Sequence, residues 1–172
     1  FITLSYLDLP NRLKEVEQQF EKNLKTAQKF TDKTKEGKVK ENQQERKRLE
    51  EEISFLKSHI DRGDSVVPLS GTLTIEFGKT SENLYAGMNE EFRHYQPAIP
   101  TWFETAQHSF ERGAETHNMG GIENNLEGGL INFKSKFNPT IEEFVGEFNY
   151  PTSSLYFLFN LAYKIRKKLR SR

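Results

Sequence analysis

Apolar residues alternate with polar ones at the start of the chain and then change to helical spacing. The first ten residues, FITLSYLDLP, place Ile2, Leu4 and Tyr6 at alternate positions, which predicts a strand that Pro10 ends. Apolar residues then recur every three or four positions in two runs, separated by the turn-forming segment TDKTKEGK. These runs predict two amphipathic helices of about 22 residues, paired as an antiparallel hairpin over residues 11–62. The seam of the hairpin would contain Leu13, Val16, Phe20, Leu24, Ala27, Leu49, Ile53, Leu56 and Ile60.

The remainder of the chain predicts short strands and helices. Residues 66–89 suggest two strands joined by a loop over residues 78–83. Residues 97–113 predict a helix, 117–122 a short strand, 128–137 a short helix and 140–150 a strand, and a final helix begins near Thr152. The inner stripe of the first of these helices would contain Ile99, Phe103, Ala106 and Phe110. We therefore predict an α+β domain built from residues 1–10 and 63–172, with residues 11–62 as a projecting coiled-coil arm.

Composition limits the possible class of protein. The chain has 172 residues, 34% hydrophobic and 29% charged, with no apolar run of the ~18 residues that span a bilayer. It begins at Phe1 rather than Met, so we expect it to be a piece of a longer protein. The absence of cysteine favours a reducing cytosol. The four histidines lack metal-ligand spacing, so no metal site is expected.

The zero net charge hides an uneven distribution. Residues 11–62 carry a net charge of +3, residues 163–172 carry +6, and the remainder carries −9. Six basic residues and no acidic residue within ten positions predict an anionic partner, either nucleic acid or an anionic membrane surface.

Lys134 is the principal candidate for chemistry. Outside residues 11–62 and 163–172 the chain has five basic residues, and two of them lie in GGLINFKSKF. Helical spacing places Lys134 among the apolar residues of this segment and Lys136 outside them. Its aliphatic stem could simply run along apolar surface to water. Alternatively, Lys134 could lie at the rim of an apolar pocket and stabilise a developing negative charge. Lys136 is interpreted as ordinary surface.

Other candidates are weaker. The segment MGGIENNLEGG resembles a phosphate-binding loop, but it matches neither the GxxxxGK[ST] nor the GxGxxG motif. It could be a turn whose backbone approaches a ligand, or a plain surface loop. Glu123 within it could act as a base or be solvated. Tyr85 lies at a strand end, where it could either pack against neighbouring residues or line a ligand pocket. With no cysteine and no readable Ser/His/Asp set, we expect no covalent enzyme intermediate.

Together, LYAGMNEEFRHYQP, NMGGIEN, FKSKF and EFVGEFN resemble the C-terminal half of the Fem family of peptidoglycan aminoacyltransferases, including FemA, FemB, FemX, MurM and MurN. The resemblance covers essentially the whole chain, and the C-terminal segment NLAYKIRKKLRSR is most similar to the MurM/MurN branch. It implies tandem acetyltransferase-like (GNAT) domains, of which this chain would supply the second together with the helical arm. A missing N-terminal GNAT-like domain is thus an expected partner.

The resemblance also implies a reaction. Family members transfer an amino acid, such as alanine or serine, from aminoacyl-tRNA to the stem-peptide lysine of a peptidoglycan precursor, either lipid II or a nucleotide-linked muropeptide. No cofactor is expected, and the enzyme would work in the cytoplasm at the inner face of the cell membrane. The fragment alone would be inactive.

Three site residues follow from the same resemblance. Phe133 and Lys134 correspond to the family's Phe-Lys pair and Tyr85 to its pocket tyrosine, whereas Asn83 replaces a second tyrosine that some members carry. We expect substrate binding by Gly120, Gly121, Glu123 and Arg93, and tRNA binding by Lys22, Lys25, Lys29, Lys164, Arg166, Lys167 and Lys168.

Two alternatives stay open. The chain could be a non-catalytic tRNA-binding module, whose affinity would depend on salt. It could also be a coiled-coil interaction element. The general base is open as well, between Glu123 and groups of the substrate.

Overall fold

The computed structural model describes residues 1–122, 127–146, 148, 150–153 and 155–170, and divides the chain into the units Phe1–Phe137 and Asn138–Arg172. In the first unit the elements are β1 (Ile2–Asp8), α1 (Leu9–Ala27), α2 (Glu36–Asp61), β2 (Val66–Phe77), β3 (Thr80–Met88), a 3-10 helix (Glu90–Tyr95), α3 (Ala98–Glu111), β4 (Thr116–Asn118), α4 (Gly129–Lys134) and a 3-10 turn (Ser135–Phe137). The second unit contains α5 (Leu155–Arg170).

Helices α1 and α2 follow β1 and precede β2 along the chain, and they pack against each other. Helix α1 begins earlier than predicted because Asp8 caps it, with its carboxylate accepting the Asn11 backbone N–H at 2.9 Å. Pro10 lies in the first turn, where its missing N–H costs nothing, so it starts the helix as well as ending the strand. Helix α2 begins at Glu36, inside the predicted turn.

The hydrophobic core lies where α1 and α2 meet β2 and the first 3-10 helix. Its buried members are Leu9, Val16, Leu49, Leu56, Val67, Leu69 and Phe92. Val16, Leu49 and Leu56 belong to the predicted seam, and Leu13, Phe20, Ile53 and Ile60 pack partly buried around them. That these helices project as a separate arm stays a prediction.

A buried carboxylate lies beside this core. Glu52 accepts hydrogen bonds from Arg12 Nη2 at 2.7 Å and from Tyr95 Oη at 3.0 Å. Burial, followed by the adjacent Glu52 charge, raises the pKa of Tyr95 to about 12. The Glu52 carboxylate therefore links α1, α2 and the first 3-10 helix through hydrogen bonds to a charged acceptor.

The four strands form one sheet in the order β1-β2-β3-β4, antiparallel except for the parallel β3–β4 pair. Gly78, with φ of +59°, lies in a short turn between β2 and β3, so the predicted loop over residues 78–83 is wrong and Thr80 already begins β3. A β-bulge interrupts the β2–β3 register: Leu73 pairs with Tyr85 and Thr74 with Asn83, which leaves Leu84 without an opposite residue.

Helix α3 packs on β2 and β1 through hydroxyl groups. The predicted inner stripe is wrong at two positions, since Phe103 is 57% and Phe110 49% exposed. The buried face instead carries Thr101, Thr105 and Ser109. The reason is the sheet face beneath it, where Ser70 bonds Thr101 at 2.5 Å and Thr72 bonds Thr105 at 2.7 Å. The apolar face of β1, with Ile2, Leu4 and Tyr6, is exposed.

In the second unit, the described residues before Leu155 form no helix or strand, and a helix follows. The strand predicted over 140–150 is wrong, because the described residues of that range have no regular structure. Helix α5 begins at Leu155, close to the predicted start. In the described part of the chain, no helix has both the length and the apolar character that crossing a bilayer requires.

Candidate functional site

A pocket opens where β3 and β4 separate. The two strands pair only through Thr80–Thr116, Ser81–His117 and Glu82–Asn118. The residues that follow on each strand line a cavity of about 220 Å³, together with residues of α3 and α4. Its lining consists of Asn83, Leu84, Tyr85, Ala86, Trp102, Met119, Gly120, Gly121, Leu130 and Lys134.

Lys134 is the cation of this pocket. It is the last residue of α4 and is only 5% exposed. Its Nζ donates hydrogen bonds to the carbonyl oxygens of Gly120 and Gly121, both at 2.8 Å. The interpretation in which its stem runs out to water is therefore wrong. An ammonium has three N–H donors, so one remains after these two bonds are made.

The surroundings of Lys134 strengthen its electrostatic effect. Burial lowers the pKa of the Lys134 ammonium from its ordinary value, because the charged form loses hydration. Nζ also lies 5.8 Å from the centre of the Trp102 ring, within cation–π range. A charge held away from water acts more strongly on a neighbouring charge than one in solvent.

An aromatic cluster supports α4 from one side. The Phe133 ring contacts Trp102 edge-on at 5.2 Å and Phe137 at 5.6 Å, measured between ring centres. Phe133 itself is absent from the pocket lining, but it contacts Trp102, which is part of that lining. Trp102 was not among the residues predicted from the sequence. As the single tryptophan of the chain it was a visible signal, but its helix carries no spacing that links it to Lys134.

Gly120 is required by the shape of the pocket wall. Its φ is +77°, in the left-handed region that favours glycine. A Cβ at this position would lie 3.5 Å from the backbone oxygen of Asn83 and 3.8 Å from Lys134 Nζ. By contrast, a Cβ on Gly121 would meet no atom within 4 Å.

The other predicted site residues belong to several elements of the chain. Tyr85 lines the pocket but is 73% exposed. Arg93 lies in the first 3-10 helix, pairs with Glu90 at 3.9 Å and is absent from the lining. Glu123 lies outside the described residues. The predicted tRNA-binding residues are all exposed, with Lys22 and Lys25 on α1, Lys29 just beyond it, and Lys164, Arg166, Lys167 and Lys168 on α5.

This arrangement suits the stabilisation of negative charge on a small group. The volume is below the roughly 300 Å³ at which pockets for drug-sized ligands begin, so a small group fits better than a large molecule. A buried ammonium oriented by two carbonyls needs little reorganisation when negative charge develops beside it.

Comparison with known proteins finds a protein family whose sequence model matches most of the chain. The model of the FemAB family matches residues 1–164. The lipid II:glycine glycyltransferase of Staphylococcus saprophyticus subsp. saprophyticus is 28% identical over 167 residues, which cover 94% of this chain and 39% of that protein. Aminoacyltransferase FemB of Staphylococcus epidermidis is 31% identical over 90 residues, 49% of this chain and 22% of that protein. A crystal structure of FemX aligns with a TM-score of 0.48 and 24% identity over 76% of this chain and 36% of that chain. The chain thus spans well under half the length of these relatives.

Proposed function

Because the chain belongs to the FemAB family, we propose that it is part of a tRNA-dependent aminoacyltransferase of peptidoglycan bridge synthesis. The enzyme adds a small amino acid, such as alanine or serine, to the stem-peptide lysine of a precursor such as lipid II. The observation that carries the proposal is the Lys134 ammonium, 5% exposed and held by two carbonyls at a pocket. Relatives named as lipid II:glycine glycyltransferase and aminoacyltransferase support the substrate class.

The chemistry is aminolysis of an ester. The neutral acceptor amine forms a C–N bond to the ester carbonyl carbon while the C=O electron pair moves onto oxygen. When the C=O bond re-forms, the C–O bond to the tRNA ribose breaks, and the proton lost by the amine ends on the ribose oxygen. Lys134 stabilises the intermediate oxyanion with its charge and its remaining N–H.

The other pocket residues hold the ester and limit water. Gly120 and Gly121 orient the ammonium through their carbonyls. Trp102, supported by Phe133, forms an apolar side of the pocket that disfavours hydrolysis of the ester. Tyr85, exposed at the pocket, contacts the incoming substrate.

We also assign an acetyltransferase-like fold to the first unit. A short parallel strand pair that diverges beside a β-bulge, with the pocket in the gap, supports this assignment. Helices α1 and α2 would then be an inserted hairpin, since they interrupt the chain between β1 and its neighbour β2.

The basic residues provide the anionic contacts. Exposed lysines on α1 and the basic end of α5 meet tRNA phosphates or the anionic lipid that surrounds the precursor. The enzyme then works in the cytoplasm, peripheral to the inner face of the membrane. Each basic residue near an anionic lipid surface contributes about 1 kcal/mol.

A transfer assay with the complete protein tests this function. tRNA charged with alanine, serine or glycine is supplied with lipid II or with the nucleotide-linked muropeptide, and product is measured by mass spectrometry. We expect transfer by the complete protein and none by this chain alone. No transfer by the complete protein to either acceptor would refute the proposal, and salt-dependent tRNA binding without transfer would favour a tRNA-binding module.

A further inference from the structure

The pocket has an open side and a closed side. Tyr85 and Leu130 line it and are exposed, so they lie at its opening. Trp102 also lines it but is partly buried, and Lys134 is buried, so these two residues form part of the closed side. A tRNA is far too large for a cavity of about 220 Å³. Under the proposed function it therefore stays outside the opening, and the amino acid that it carries faces the closed side.

Trp102 lies within reach of the side chain of an amino acid whose carbonyl is bound to Lys134. A carbonyl oxygen that accepts a hydrogen bond from the ammonium lies about 2.8 Å from Nζ. The first side-chain carbon follows this oxygen after three covalent bonds of about 1.2–1.5 Å, so it lies within about 7 Å of Nζ. The centre of the Trp102 ring lies 5.8 Å from the same nitrogen. The side chain and the indole therefore compete for the space beside the ammonium.

Aromatic contacts hold the indole in place. The Trp102 ring contacts Phe133 edge-on at 5.2 Å and Phe137 at 6.4 Å, and the two phenylalanine rings contact each other at 5.6 Å, measured between ring centres. Phe133 directly precedes Lys134 on α4, and Phe137 ends the 3-10 turn that follows. One aromatic cluster thus positions the indole and the ammonium relative to each other. Because close-packed rings yield only at a cost in free energy, a side chain that overlaps the indole is disfavoured.

We propose that Trp102 is a specificity-determining residue that limits the transferred amino acid to a small side chain. This inference rests on the proposed function and adds the residue that distinguishes one amino acid from another. A larger side chain has to displace the indole or draw the ester carbonyl away from Lys134. Either change raises the barrier to transfer, since the reacting carbonyl and its stabilising charge no longer meet in the required geometry.

The test measures transfer by the complete protein to the acceptor that the wild type uses. One tRNA body is charged in turn with glycine, alanine or leucine, so that contacts to the tRNA are the same in every reaction. The readout is the size preference, defined as kcat/KM for the better of glycine and alanine divided by kcat/KM for leucine. A loss of folded protein lowers both values equally and cancels in this ratio.

Three variants are compared with the wild type. Trp102→Leu removes the indole and leaves an apolar residue on the pocket wall. Trp102→Phe keeps a ring to pack against Phe133, and it decides the question by itself if Trp102→Leu does not fold. Phe103→Leu is the matched control, because Phe103 is the next residue of α3, is exposed and does not line the pocket.

We expect a size preference of about 100-fold or more in the wild type, since each methylene that does not fit is worth roughly 10- to 200-fold. Trp102→Leu should lower the preference at least about 10-fold and Trp102→Phe more than about threefold, whereas Phe103→Leu should leave it unchanged. If the wild type transfers leucine as well as the small amino acids, or if the folded Trp102 variants keep its preference within about threefold, this inference is overturned while the proposed function stands. If the wild type transfers none of the three amino acids, the proposed function is overturned and the inference with it.

Discussion

Replacing Lys134 with methionine in the complete protein removes the pocket cation but keeps an unbranched apolar stem. Under the proposed function, the oxyanion then loses one preorganised, charged donor. Loss of one such donor typically lowers kcat about 100- to 1,000-fold, or about 2.7–4 kcal/mol of transition-state stabilisation. Because the ammonium is buried and oriented by two carbonyls at 2.8 Å, we expect about 3 kcal/mol.

The same change affects stability in a separate way. Methionine cannot donate to the Gly120 and Gly121 carbonyls, and leaving buried acceptors unpaired costs about 1–3 kcal/mol. Relief from burying a charge offsets part of this cost. The melting temperature must therefore be measured first, and transfer assayed well below it, so that the rate reports on folded protein.

The assay is single-turnover transfer from charged tRNA to lipid II, which isolates chemistry from product release. Lys136→Met is the matched control, because Lys136 is exposed and lies two positions away on the same segment. Its rate should equal that of the wild type. A Lys134→Met rate within about threefold of wild type, in folded protein, would refute the electrostatic reasoning.

Three further substitutions test the fold. Gly120→Ala should cost about 1–2 kcal/mol of stability and slow transfer, because the φ of Gly120 is +77°. Gly121→Ala is the control, since a Cβ at Gly121 meets no atom within 4 Å. Equal melting temperatures for the two variants would contradict the argument. Glu52→Gln should lower the free energy of unfolding in urea by about 1–3 kcal/mol, because the carboxylate accepts from Arg12, and an unchanged midpoint would argue against it. Burial lowers the pKa of His117, so the unfolded chain binds the proton first and stability should fall as pH drops below about 6.5. In His117→Asn that fall, measured between about pH 7.5 and about pH 5.5, should shrink; an equal fall would exclude His117 as its source.

The sequence predicted elements where the signal is local. The seam of α1 and α2 follows from apolar spacing, and Val16, Leu49 and Leu56 are buried as expected. Helix boundaries were less accurate because Asp8 caps α1 before Pro10, and that hydrogen bond depends on geometry as well as on residue type.

Long-range pairing accounts for the error in the buried face of α3. The stripe of α3 was predicted from its apolar residues, yet the helix buries Thr101 and Thr105. These hydroxyls are stable there only because Ser70 and Thr72, about thirty positions earlier, face them from β2. No rule of spacing within α3 contains that information.

The site was predictable in part. Lys134 was found because an ammonium inside an apolar arc contradicts the helical pattern, and local contradictions of this kind concentrate at functional sites. Trp102 and Asn83 joined the site only through the fold, since α3 and β3 are distant from α4 along the chain.

The strand geometry gives a physical reason for an ammonium among packing residues. Strands β3 and β4 pair for three residues and then separate at Gly120, whose positive φ turns the chain away. The carbonyls of Gly120 and Gly121 accept instead from Lys134. The lysine thus replaces the hydrogen bonds that a continuing strand pair would have supplied. Because the gap that requires this donor is also the pocket, the group that satisfies the backbone is the one that presents a positive charge to the pocket.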